Sequence, residues 1–146
     1  MVRVLSESTM SVPDRLGHEI ALTRVAFVET SPDPDFDSVQ VEEVNVSDLI
    51  AGNGTHWGYH VNRHPGGDLT FVAYEGRTRT TVTPGGERRT TFTGAWRYTG
   101  GTGKFRGITG GGTYEGHVTL SGRVYTLDGR WHIENEGVHE PTRRQQ

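Results

Sequence analysis

Hydrophobic and polar residues alternate with a period of two along several stretches of the chain. Between Phe92 and Thr99, aromatic residues and glycine occupy one face, whereas threonine and arginine occupy most of the other. In the stretch His56–Arg63, Trp57 and Tyr59 share an apolar face, and histidine and asparagine share the opposite face. This alternation predicts half-buried β-strands.

Turn residues divide the chain into about eight such strands and leave no convincing helix. Short helical turns are predicted only at Ser47–Ile50 and at Lys104–Thr109. The strands are predicted at His18–Glu29, Ser38–Val46, His56–Arg63, Leu69–Thr83, Glu87–Thr99 and Thr113–Leu120, followed by a hairpin of Arg123–Leu127 and Arg130–Glu134 around Asp128-Gly129. Polar composition predicts a loose N-terminal arm over residues 1–17 and a frayed tail over residues 137–146.

Residues 18–136 are expected to form one all-β domain. Sequential hairpins with short links favour an eight-stranded antiparallel up-and-down β-barrel, which is the calycin-like architecture, over a β-sandwich. Closure would also remove the exposed edges of threonine-rich strands. An eight-stranded barrel has room for packed side chains or for one small ligand.

Charge and composition exclude several classes of function. The net charge is −3, so nothing favours a nucleic-acid or membrane partner. The chain has no cysteine, which excludes disulfides and thiolate metal sites. The N-terminal residues contain no apolar stretch of the kind found in signal peptides, so we expect a cytoplasmic protein.

The glycine-rich segment around Lys104 does not have the spacing of a nucleotide-binding loop. Gly103-Lys104 is followed by Phe105 where a P-loop needs serine or threonine, and Arg106 stands where a dinucleotide fingerprint needs its third glycine. Glycines here are expected to make tight corners between antiparallel strands.

Three histidines at four-residue spacing, His56, His60 and His64, resemble a metal motif only if they lie on a helix. On a strand, consecutive members are about 13 Å apart, which is too far for them to share one metal ion. We therefore expect no metal and no cofactor, and we interpret these histidines as solvated strand residues.

Aromatic residues with polar tips are unusually prominent on the predicted apolar faces. A plain small core would be dominated by leucine, isoleucine and valine. Rings interleaved with glycine would instead leave a concave space. Core packing remains the alternative. The rings on apolar faces are Trp57, Tyr59, Phe92, Trp96, Tyr98 and Tyr114.

Residues 100–114, G-G-T-G-K-F-R-G-I-T-G-G-G-T-Y, preceded by G-A-W-R-Y, resemble a segment shared by allene oxide cyclases, plant dirigent proteins and related bacterial barrels. Looser matches at residues 51–60 and 69–75 follow the order found in bacterial spirotetronate and spirotetramate cyclases. The resemblance implies a barrel, usually oligomeric, whose cavity folds a flexible substrate for ring closure without a cofactor. Of the residues that follow the loop in those cyclases, only the aromatic position carries over, as Tyr114.

We therefore expect a cofactor-independent cyclase or isomerase of specialised, natural-product metabolism that acts on a mostly apolar small molecule and forms a homodimer or another homo-oligomer. The alternatives are a non-catalytic ligand-binding or dirigent-like protein, or a solid barrel that binds a partner at its surface. Trp57, Tyr59, Trp96, Tyr98 and Tyr114 are expected to converge on one pocket. The expected catalytic residues are Tyr114, Tyr59, Tyr98 and Glu75, and the expected substrate-binding residues are Trp57, Phe71, Phe92, Trp96, Phe105 and Trp131.

Overall fold

A computed structural model describes residues 2–134 of the chain as a single sheet of eight antiparallel strands. The strands follow one another in chain order from β1 to β8, so the up-and-down arrangement and the all-β class are confirmed. One short 3-10 helix, Gly103–Phe105, lies between β6 and β7. The strands are β1 Arg3–Ser11, β2 His18–Glu29, β3 Val39–Ile50, β4 Asn53–Arg63, β5 Leu69–Val82, β6 Arg88–Gly101, β7 Ile108–Thr119 and β8 Gly122–Ile133.

The sheet is curled, but it is not closed into a barrel. Hydrogen-bonded ladders join each strand to the next in the chain, and within residues 2–134 no ladder joins β8 back to β1. Side chains bridge the gap instead. The Tyr125 hydroxyl on β8 donates a hydrogen bond of 2.6 Å to Glu29 on β2, and Arg123 lies 3.6 Å from Glu43 on β3. One face of the sheet therefore surrounds an interior.

The N-terminal segment differs from the predicted loose arm. Arg3–Ser11 forms β1 and pairs with β2, although every residue of this strand is exposed. Backbone hydrogen bonds rather than apolar burial hold this strand. Its sequence therefore lacks the clear alternation of apolar and polar residues from which a strand is predicted. The predicted frayed tail lies outside the described residues.

The predicted helical turn at Ser47–Ile50 is wrong, because β3 continues to Ile50. A two-residue turn then joins β3 to β4, with positive φ at both Ala51 (48°) and Gly52 (79°). This geometry matches the twist of a hairpin, so the strand needs no helical ending.

The predicted C-terminal hairpin around Asp128-Gly129 is also wrong. Strand β8 runs unbroken through these residues and pairs with β7 along its whole length. Gly129 serves a different purpose, because a Cβ at this position would overlap the Trp96 ring and the backbone of Gly111. A glycine that makes room for a ring was therefore mistaken for a turn signal.

A small solid core closes one end of the curled sheet. Phe105 from the 3-10 helix is 1% exposed, and its ring centroid lies 4.2 Å from that of His64. Phe36 packs against both Phe105 and Trp131, with centroids 5.8 Å and 5.0 Å away. None of the described residues forms a helix long and apolar enough to cross a membrane.

Candidate functional site

The concave face of the sheet encloses a cavity of about 980 Å³. This volume is at the upper end of the range for small-molecule sites. Residues from all eight strands and from the loop after β2 line it. Nine of the lining side chains are aromatic: Phe27, Phe36, Tyr74, Phe92, Trp96, Tyr98, Tyr114, Tyr125 and Trp131.

Half of the residues expected to form the site line this cavity. The five that do so are Phe92, Trp96, Tyr98, Tyr114 and Trp131. Of the five rings expected to converge, Trp96, Tyr98 and Tyr114 do, so the convergence is only partly correct. The rest of the predicted set lies elsewhere.

Strand β4 presents the face opposite to the one expected. Trp57 and Tyr59 are 48% and 53% exposed on the outer face of the sheet. Their strand partners on β5, Glu75 and Ala73, share that face, and Glu75 is exposed. Phe71 shares the outer face too, whereas Phe105 belongs to the solid core.

The expectation that the three histidines are solvated is therefore wrong. His56, His60 and His64 are 7%, 9% and 2% exposed. Alternation defines two faces of a strand without saying which one is inside, and here the polar face lines the interior. Within residues 2–134, no group of three or more histidine, aspartate or glutamate side chains is arranged to hold a metal ion.

His56 and Tyr114 form a hydrogen-bonded pair on the cavity wall, which we call the dyad. His56 Nε2 lies 2.6 Å from the Tyr114 hydroxyl, and His56 Nδ1 lies 2.9 Å from the hydroxyl of Thr78. Burial lowers the pKa of His56, and the positive charge of Arg123 lowers it further. Burial and the charges of Glu43 and Glu75 raise the pKa of Tyr114. The dyad thus pairs a neutral imidazole, which can accept a proton, with a neutral phenol, which can donate one.

Two inward-facing glycines make room for the Tyr114 ring. A Cβ at Gly76 would lie 2.5 Å from the Tyr114 hydroxyl oxygen and 2.8 Å from His56 Nε2. A Cβ at Gly94, the strand partner of Gly76, would overlap the same hydroxyl. Glycines at matched positions on neighbouring strands thus mark where a ring from a third strand lies against the sheet.

A second set of polar groups, which we call the polar cluster, consists of the buried Glu43 and His60, the half-buried Glu29 and Tyr125, and the partly exposed Arg123. His60 Nε2 lies 3.2 Å from a Glu43 carboxylate oxygen, and His60 Nδ1 lies 3.9 Å from Glu29. Burial alone would raise the pKa of Glu43, but the His60 hydrogen bond and the charges of His60 and Arg123 outweigh burial and lower it. Burial and the neighbouring Glu29 raise the pKa of Tyr125. The cluster therefore favours the ionised form of the Glu43 carboxylate on the cavity wall.

Sequence reasoning missed His56, Glu43 and the rest of the polar cluster. The sequence does carry one signal for His56, His60 and Glu43. The inward residues lie on the polar face of β4 and on the face of β3 that combines apolar and polar residues. Assigning the aromatic face of β4 to the interior hid that signal.

Stability should fall as the pH drops below about 6.5. Burial lowers the pKa of both His56 and His64, so the unfolded chain takes up protons before the folded protein does. We expect a lower urea midpoint at about pH 5.5 than at about pH 7.5, and a smaller fall in His64→Gln. Asp14 and Asp48 raise the pKa of His18, which acts in the opposite direction, so His18→Gln should steepen the fall. A midpoint that stays constant or rises on acidification would contradict this expectation.

A cavity of this size, with a neutral acid–base pair and a charged cluster on its wall, can bind a small molecule and move a proton within it. Comparisons with protein-family models, with curated proteins and with solved structures found no match to this chain.

Proposed function

We propose that the protein is a cofactor-independent isomerase or cyclase that rearranges a mostly apolar small molecule inside its cavity. The observation that carries this proposal is the buried dyad, which places a neutral imidazole and a phenol against the same aromatic-lined space. Buried ionisable groups with shifted pKa values in a cleft are typical of catalytic sites. Kinship of the curled sheet with the calycin-like barrels of the allene oxide cyclase type and a homodimeric or other oligomeric state are part of the proposal.

Confinement would supply much of the catalysis. Holding the reacting atoms of a flexible chain close together can lower a barrier by up to about 7–11 kcal/mol. The rings of Phe92, Trp96 and Tyr98 would restrict an apolar chain. An isomerisation or ring closure changes the bonds of the substrate but not its elemental composition, so no co-reactant is needed.

The Tyr114 hydroxyl would polarise an oxygen of the substrate. When His56 carries its proton on Nε2 and donates it to the Tyr114 oxygen, the phenol proton is free to point to a carbonyl or epoxide oxygen. This hydrogen bond strengthens as negative charge develops on that oxygen in the transition state. Thr78 would hold the imidazole in this tautomer by donating its hydroxyl proton to Nδ1.

A non-catalytic ligand-binding or dirigent-like protein would use the same cavity without proton transfer. A solid core does not require a hydrogen-bonded histidine and tyrosine facing empty space, and a simple carrier does not require them either. The dyad therefore favours the catalytic proposal over the carrier.

The proposal is tested with a panel of flexible unsaturated ketones and epoxides. We expect at least one to give a product of unchanged mass and altered retention time. In Tyr114→Phe, turnover should fall at least about ten-fold, which corresponds to about 1.4 kcal/mol of transition-state stabilisation. Tyr59→Phe, on the outer face, is the matched control and should keep full turnover. Stoichiometric binding without conversion of any compound would instead support a carrier.

A further inference from the structure

The described residues that line the cavity carry an excess of negative charge. Four carboxylates, from Glu7, Glu29, Asp33 and Glu43, face one guanidinium, that of Arg123, which is the one arginine or lysine in this lining. The carboxylates therefore outnumber the guanidinium by three. An anionic ligand would enter this space against that charge, whereas a cation would be attracted.

The aromatic lining also favours a cation over an anion. The faces of phenylalanine, tyrosine and tryptophan rings carry negative partial charge and attract cations, most strongly where water is excluded. Phe27 links the rings to the carboxylates, because its centroid lies 5.8 Å from that of His60 and 5.9 Å from that of Tyr125. Tyr125 in turn donates its hydrogen bond to Glu29. A cation beside Glu29 would therefore lie close to aromatic rings as well as to a carboxylate.

Asn62 adds a third contribution near the polar cluster. Its side chain is buried on the inward face of β4, two residues beyond His60, and its amide nitrogen donates to Thr70. The side-chain oxygen of Asn62 is buried and has no hydrogen-bond partner within residues 2–134. The negative end of this amide dipole is thus left uncompensated beside the cavity.

We propose that the ligand of this cavity is an organic cation, namely a protonated amine carried on an apolar, ring-sized body. The carboxylates and ring faces around Glu29 would hold the ammonium group, and the aromatic wall of Trp96 and Tyr98 would hold the apolar body. This inference rests on the proposed function, since it names the substrate class of the same site. It requires only binding, so it is tested without turnover.

Three probes of similar size and different charge separate the possibilities: 4-phenylbutylamine, 4-phenylbutan-1-ol and 4-phenylbutanoate. Calorimetric titration near pH 7 should show the amine binding about ten-fold more tightly than the alcohol, with the carboxylate weakest. Raising the salt concentration should weaken binding of the amine more than binding of the alcohol.

Two variants with opposite expected effects on amine binding distinguish the loss of a ligand contact from a loss of folding. Glu29→Gln should weaken amine binding about ten-fold and leave alcohol binding unchanged. Arg123→Gln removes the one guanidinium of the lining and should tighten amine binding, a gain that a misfolded protein cannot produce. Glu87→Gln, which neutralises an exposed carboxylate in the turn between β5 and β6, is the matched control and should change neither affinity.

Equal or tighter binding of the alcohol or the carboxylate would overturn the cationic ligand while leaving the proposed isomerase in place. Failure of all three probes to bind would also overturn the cationic ligand, and the proposed isomerase would then be judged by the panel of ketones and epoxides alone. Amine binding in the expected order, without turnover of any compound, would support the ligand class and refute catalysis.

Discussion

Replacement of Phe105 by alanine should lower the free energy of unfolding by about 3–5 kcal/mol, because it empties the solid core at one end of the sheet. Phe105 is 1% exposed and packs against His64, Phe36 and Trp131. No neighbouring strand can move inward without breaking its ladder, so the space left by the ring would stay largely open. Urea unfolding, with the midpoint and slope fitted together, measures the loss.

Leu120→Ala is the matched control for this change, since it also truncates a large apolar side chain. Leu120 lies fully exposed in the turn between β7 and β8, so its loss should change stability by less than about 0.5 kcal/mol. A Phe105→Ala protein as stable as the unmodified one, but with weakened ligand binding, would return Phe105 to the substrate-binding role expected from the sequence.

Replacement of His60 by leucine should cost about 3 kcal/mol, since it leaves the Glu43 carboxylate buried without its closest partner. His60 Nε2 lies 3.2 Å from that carboxylate, whereas Arg123 lies 3.6 Å away and is partly exposed. The remaining ion pair compensates only part of the lost interaction. Thermal and urea unfolding near pH 7 both report the loss.

A double-mutant cycle separates this charge effect from a simple change of packing. The double variant His60→Leu with Glu43→Leu removes both partners, so it should recover much of the stability that His60→Leu loses. If the losses of the two single variants add in the double variant, His60 and Glu43 do not interact, and the polar cluster is a set of independent residues.

The order of the strands could be predicted from the sequence, because period-two alternation and turn residues are local signals. Strand β2, His18–Glu29, has the predicted bounds, and the bounds of β5 differ by one residue. Which face of a strand lies inside depends on its neighbours, and for β4 this was misjudged. Trp57 and Tyr59 have the larger apolar surface, yet the interior needs the polar partners of Glu43 and Tyr114.

The candidate site was predictable only where aromatic residues coincided with the inward face. Trp96, Tyr98 and Tyr114 were found because glycine and rings alternate on β6 and β7. His56 and Glu43 were missed because a buried ionisable residue looks like a surface residue in sequence. Only the partner across the sheet distinguishes the two, and pairing between distant strands is not a local property of the chain.

Because no ladder joins β8 to β1 within residues 2–134, the outermost strands are expected to unfold before the inner ones. Each described strand is hydrogen-bonded only to its neighbours in the chain, so either outermost strand can detach while every other ladder stays intact. Strand β1, exposed along its whole length, gives up little apolar contact when it leaves. Strand β4, which carries His56, would be among the last to open, whereas β7, which carries Tyr114, lies next to the outermost strand β8. Adjustment of the cavity to ligands of different size would therefore fall to the outermost strands.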